Sequence, residues 1–144
     1  MQNPQSDSAK WSLGRMIIGI ISIVLFFFIA FQSCAVGFGN SLSGNGELSG
    51  TFGIFTAMLI LISGIIGVVT RNSAKAGGPI TCCVFYWFGF FLSRIGSGHF
   101  SDLRIWGILA FFFGCIYLFS TTKKRSSQML ALIFAIIYFL LGIA

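Results

Sequence analysis

Acidic residues are nearly absent from this sequence: Asp7, Glu47 and Asp102 are the three carboxylates in 144 residues. Histidine occurs once, at His99, and proline twice, at Pro4 and Pro79. Charged residues of both signs make up 8% of the chain, where a soluble domain carries about 25%. These shortages exclude much active-site chemistry at the outset. The sequence offers no closely spaced carboxylates for acid–base work, no Ser/His/Asp set and no phosphate-binding loop, so no enzyme is expected and no catalytic residue is assigned. The four cysteines, Cys34, Cys82, Cys83 and Cys115, show no C-x-x-C spacing, so neither a disulfide framework nor a zinc motif follows. No cofactor and no metal are expected.

What the chain has in abundance is apolar surface. It is 56% hydrophobic, with eighteen phenylalanines and a mean hydropathy of +0.95. A water-soluble fold of this size could not hide that much, so lipid must solvate it. The net charge of +6 would suggest nucleic acid in a soluble protein, but no basic stripe with interleaved polar groups exists, and nucleic acid is excluded as a partner.

The pattern predicts an all-α integral membrane protein, a bundle of four to five transmembrane helices. A polar segment, residues 1–15, with its first ten residues loose, precedes a transmembrane domain over 16–144. The spans fall at about 16–36, 52–70, 80–95, 103–120 and 129–144, each near the length that crosses a ~30 Å hydrocarbon core. Pro79 suits a first helical turn and Ser101 an N-cap. Strand readings of "VFYWFGFF" fail because a barrel needs alternating faces. Orientation follows from the basic residues. Lys10, Arg15, Arg71, Lys75, Lys123, Lys124 and Arg125 fall on one side of such a bundle, Arg94 and Arg104 on the other. The N-terminus is therefore expected in the cytoplasm, and five spans would leave Ala144 outside. The expected location is the bacterial cytoplasmic (inner) membrane, multi-pass, with the bilayer and its anionic cytoplasmic headgroups as partners.

Few residues remain for function. Small residues recur four apart at Gly53/Ala57, Ser63/Gly67, Ala110/Gly114 and Ala131/Ala135, a spacing that lets helices approach closely, within this chain or with a partner. The stretch "FQSCAVGFGNSLSGNGELSG", 31–50, reads as an external turn, and Ser33–Cys34 after an apolar run makes Cys34 a candidate lipidation site. Glu47, Arg94, His99, Asp102 and Arg104 form a candidate polar cluster at the outer face. His99 and Asp102 could supply two metal ligands, one or two short of a zinc site. Cys82, Cys83 and Cys115 could lie at similar depth, as inert thiols or a soft-metal group. Trp11 and Trp106 sit where interface anchors belong. An ungapped match at an offset of 52, between 49–71 and 101–123, hints at two tandem hairpins.

"GIISIVLFFFIAFQSCAVGFGNSL", "SGTFGIFTAMLILISGIIGVVTRNS" and "DLRIWGILAFFFGCIYLF" resemble a family of small bacterial multi-span membrane proteins with a four-helix core. The resemblance covers roughly residues 15–120, with "FQSCAVG" and "GIIGVVTR" its most specific parts. It implies a four-span core, with 129–144 as an addition, and brings no activity, cofactor or catalytic residue. The expected function is non-enzymatic, through helix packing with itself (a homo-oligomer) or with a membrane-protein partner, in an accessory, stress-response or immunity-type role. A second reading is an oligomeric channel or small transporter, lined by Ser22, Gln32, Thr56, Ser63, Thr81 and Ser93. A third is lipoprotein-type processing at Cys34.

Overall fold

The computed structural model describes residues 4–73, 75 and 77–121, and the expected fifth span, 129–144, lies outside them. Four helices follow one another: α1 (Pro4–Ser43), α2 (Ser49–Val69), α3 (Gly77–Gly96) and α4 (Ser101–Thr121). Among the described residues there is no strand. All four helices are long and apolar enough to cross a membrane. The helical state follows from the apolar runs, since a helix satisfies its backbone polar groups within one segment.

α1 departs most from expectation. It has 40 residues, about 60 Å at 1.5 Å per residue, twice the thickness of a hydrocarbon core. The helix starts at Pro4, within the stretch expected to be loose, and continues through Gln32, Ser33 and Cys34. Proline is well suited to a first helical position. At the other end, polar residues stay helical because their side chains bond the preceding turn. Ser41 Oγ donates to the Gly37 carbonyl at 2.9 Å, and Ser43 Oγ to that of Asn40 at 3.2 Å. The helix stops at Gly44, whose φ of 62° is the left-handed conformation that ends many helices. α3 begins at Gly77, with Pro79 in its first turn. Ser101, expected as a cap, is the first helical residue of α4.

Each helix packs on its sequence neighbours, α1 on α2, α2 on α3 and α3 on α4, while α1 and α4 touch sparsely. In a bilayer, where lipid tails are as apolar as leucine, close packing would have to hold such helices together, and small residues permit it. Gly37 faces Gly50, and Gly19 faces Gly64, across the α1–α2 interface. Gly67 lies under the Tyr117 ring and Gly107 under Ser93. Of the small pairs read from the sequence, Gly53, Ala57, Ser63, Gly67, Ala110 and Gly114 are all buried within this chain; Ala131 and Ala135 lie outside the described residues. The outward faces carry large apolar side chains instead, among them Phe27, Phe28, Phe55, Val84 and Phe112.

A polar diagonal crosses the interior. Ser22 Oγ and Tyr86 Oη share a hydrogen bond of 2.6 Å between α1 and α3. The Tyr86 ring lies 5.6 Å from that of Tyr117, whose hydroxyl donates to the Arg15 carbonyl at 2.9 Å. Such interhelical bonds contribute about 0.6 kcal/mol each inside a membrane protein. Ser22, Thr56, Ser63 and Ser93 are fully buried. Gln32 accepts a bond from Trp106 Nε1 at 2.8 Å, and Thr81 alone of the six hydroxyl and amide candidates is exposed.

The tandem match survives in its limits and not in its packing. α2 and α4 begin and end at the same offset, Ser49 against Ser101 and Val69 against Thr121. Yet the buried residues of α4, from Leu103 through Gly107, Ala110, Phe111 and Gly114 to Tyr117, match Thr51, Phe55, Met58, Leu59, Ile62 and Ile65. None of those is buried. The two helices share length and polarity, and they turn different faces to the core.

Candidate functional site

The polar residues gather at the end of the bundle where α1 turns into α2 and α3 into α4. In the first turn, Gly44 and Gly46 adopt φ of 62° and 70°, which reverse the chain in five residues. The Asn45 side chain accepts from the Glu47 amide at 3.0 Å, a local turn typical of asparagine. Asn40, still on α1, donates to the Glu47 carbonyl at 3.3 Å and to Ser49 Oγ at 2.9 Å. Glu47 is thereby aimed at the second turn. There Gly98 has φ of 42°, and its Cα leaves space against the Glu47 carboxylate.

His99 Nδ1 and Glu47 Oε1 make a hydrogen-bonding contact that joins the two turns across 52 positions of sequence. Buried Ser97 accepts from Arg104 Nε at 3.0 Å, fastening the second turn to α4. Phe100, also buried, closes over Gly53 of α2. The clasp is structural in form.

The five outer-face candidates therefore divide. Glu47 and His99 meet, and Arg104 turns to Ser97. Arg94 and Asp102 make no side-chain bond among the described residues, and helix position accounts for them. Arg94 lies in the last turn of α3 and Asp102 in the first of α4, each of the sign its helix end favours. Among the described residues, no three of His, Cys, Asp and Glu converge on one point. His99 is engaged by Glu47 instead of sharing a ligand position with Asp102. Cys34 is an exposed free thiol on α1, nine residues before the helix ends. Cys82 and Cys83 are buried and Cys115 half-buried, all free; Cys82 donates to the Ser63 carbonyl at 3.4 Å.

The hydrogen bond from His99 holds the Glu47 carboxyl below its ordinary value. A depressed carboxylate stabilises the fold above the unfolded pKa, near 4.3, and that contribution is lost as pH falls through the folded value. Thermal unfolding of the solubilised protein should therefore show an acid-side loss beginning below about pH 4.3. Glu47→Gln should be flat across that range. An identical acid-side loss in wild type and Glu47→Gln would assign the effect elsewhere.

The opposite end is also tied, by residues that sequence patterns did not single out as partners. Arg15 donates from Nε to Ser120 Oγ at 3.1 Å and from Nη2 to the Ser120 carbonyl at 2.9 Å. It meets the carbonyl end of α4, where a cation is favoured. Arg71 Nη1 reaches Met16 Sδ at 2.7 Å, and Ser12 Oγ donates to Asn72 Oδ1 at 2.5 Å. The signal available in sequence was the basic residue at each helix end on one side. Trp11 stands exposed beside this end, whereas Trp106 is a bridge from α4 to α1.

Comparison with known proteins returns no match: no family model, no curated protein and no solved structure corresponds to this chain.

Proposed function

We propose that this chain is a small multi-pass protein of the bacterial cytoplasmic membrane, with its N-terminus in the cytoplasm. It has no enzymatic activity and acts by packing against a second copy or a membrane-protein partner. The observation that carries the proposal is an apolar rim at the Glu47–His99 end. Starting from Arg15, an upright helix leaves a ~30 Å hydrocarbon core after about twenty residues, near Ala35. Phe38, Leu42 and Leu48 lie beyond that level and are 68%, 74% and 63% exposed. Ile95, at the same end of α3, is 75% exposed. Large apolar side chains outside the hydrocarbon mark an interaction surface.

The buried hydroxyls favour this reading over an oligomeric pore. Ser22, Thr56, Ser63 and Ser93 are enclosed by the chain's own helices and would not line a path between copies. A photo-crosslinking residue at Leu42 or Leu48 tests the proposal in native membranes. A discrete protein adduct, absent when the probe sits at lipid-facing Phe55, is the expected result. Adducts of the same kind at Phe55, or none at Leu42 and Leu48, would sink it. The intact mass of the same sample reports on Cys34, since processing there would remove residues 1–33.

A further inference from the structure

The sparse contact between α1 and α4 leaves a groove of about 370 Å³ at the Arg15–Ser120 end, within the ~300–1,000 Å³ range of small-molecule sites. Its walls are apolar, from Trp11 and Ile18 on α1 and Ile116 on α4, and its mouth is cationic, from Lys10 and Arg15. Ser120 occupies two of the five N–H donors of Arg15, a residue that itself lines the groove. Gly14 lines the same groove, and a β-carbon there would meet nothing within 4 Å. Glycine inside a helix is less favourable than alanine, and among the described residues no neighbouring helix requires this one. What its missing side chain does is keep the groove open.

We infer that this groove holds one anionic phospholipid, its phosphate between Lys10 and Arg15 and the start of an acyl chain along Ile18 and Ile116. A cationic mouth on an apolar channel matches an amphiphile carrying negative charge, and Trp11 at the rim suits the depth where headgroups meet hydrocarbon. The inference rests on reading these helices as membrane spans, and on no property of the opposite rim.

Native mass spectrometry of the full chain, released from membranes containing phosphatidylglycerol or phosphatidylcholine of matched chain length, tests it. One phosphatidylglycerol per chain should survive activation that strips phosphatidylcholine, and inorganic phosphate should not displace it. Lys10→Gln should weaken retention about tenfold, the scale of one charge-assisted bond. Gly14→Leu should abolish retention while leaving the thermal midpoint equal or higher. Neutralising Lys123, Lys124 and Arg125 together should leave retention intact. Equal retention of both lipids, unchanged retention in Gly14→Leu, or loss only on neutralising 123–125 would each overturn the site. So would a crosslink from Ile116 into residues 129–144 of the same chain. Recovery of the protein in the soluble fraction after alkaline extraction would instead sink the membrane reading itself.

Discussion

Gly50→Val should leave no folded protein to purify. A β-carbon at Gly50 would sit 2.5 Å from Cα and N of Gly37 and 2.7 Å from the Ser33 carbonyl oxygen. All three are backbone atoms of α1, so no side-chain rotation relieves the clash. Inserting methylenes into a packed core costs about 1–3 kcal/mol when side chains can give way. Here two helices must separate, and the cost should reach or exceed about 3 kcal/mol, the top of that range. The loss is larger in effect because helix association in lipid depends on this approach. Gly39→Ala is the matched control. It lies on α1, the helix that Gly50 meets, with nothing within 4 Å among the described residues, and it should be neutral or stabilising by up to about 1 kcal/mol. Unfolding with sodium dodecyl sulfate, followed by loss of ellipticity and tryptophan fluorescence, separates the two. A Gly50→Val protein with a wild-type transition would mean that α1 and α2 do not meet at these glycines.

Tyr117→Ala is the second large effect. Tyr117 is 1% exposed and touches every other helix. Its hydroxyl bonds α1 at Arg15, its ring covers Gly67 of α2, and it lies beside Tyr86 of α3. Truncating a buried aromatic in a soluble protein costs about 3–5 kcal/mol, part of it transfer from water. On the proposed membrane reading that part would largely disappear, because an unfolded helix would stay among hydrocarbon tails. The cavity, the lost contacts and one interhelical bond remain, about 2 kcal/mol together. Tyr117→Phe keeps the ring and should lose about 0.6 kcal/mol, the bond alone. Equal destabilisation by the two substitutions would show that the hydroxyl, and not the ring, holds α4 in place.

Much of the architecture could be read from the residues. Apolar runs of sufficient length gave four helices in the right order, because a helix satisfies its backbone polar groups within one segment. The boundaries of α1 could not be read the same way. Gly, Ser and Asn in "GFGNSLS" signal a turn in water, yet three side-chain bonds and the Gly37–Gly50 contact keep the helix going to Ser43. Contact partners were hidden for a related reason. Small residues four apart reveal that some helix approaches closely, and not which one. The turn at Gly44–Gly46 brings α2 back along α1, and Gly37 and Gly50 then meet across the interface. The Glu47–His99 pair was half visible: both residues stood in the outer group, but their pairing needs two turns brought side by side. Arg15 looked like a topology signal, and its bond to Ser120 depends on the last described helix folding back to the first.

That bond has a consequence for biosynthesis. Neighbour-on-neighbour packing lets each helix find its partner as soon as it is made, since α2 can dock on α1 and α3 on α2 without waiting. Some bonds must wait for later helices, and among the described residues those of Arg15 span more sequence than Ser22–Tyr86 or Gln32–Trp106. The guanidinium partners of Arg15 sit 105 positions later and the tyrosine that bonds its carbonyl 102 positions later. Through most of translation the guanidinium would face headgroups and water, and it would be satisfied when α4 arrives. On the membrane reading proposed above, this contact would form only after Ser120 has been made, 105 positions after Arg15.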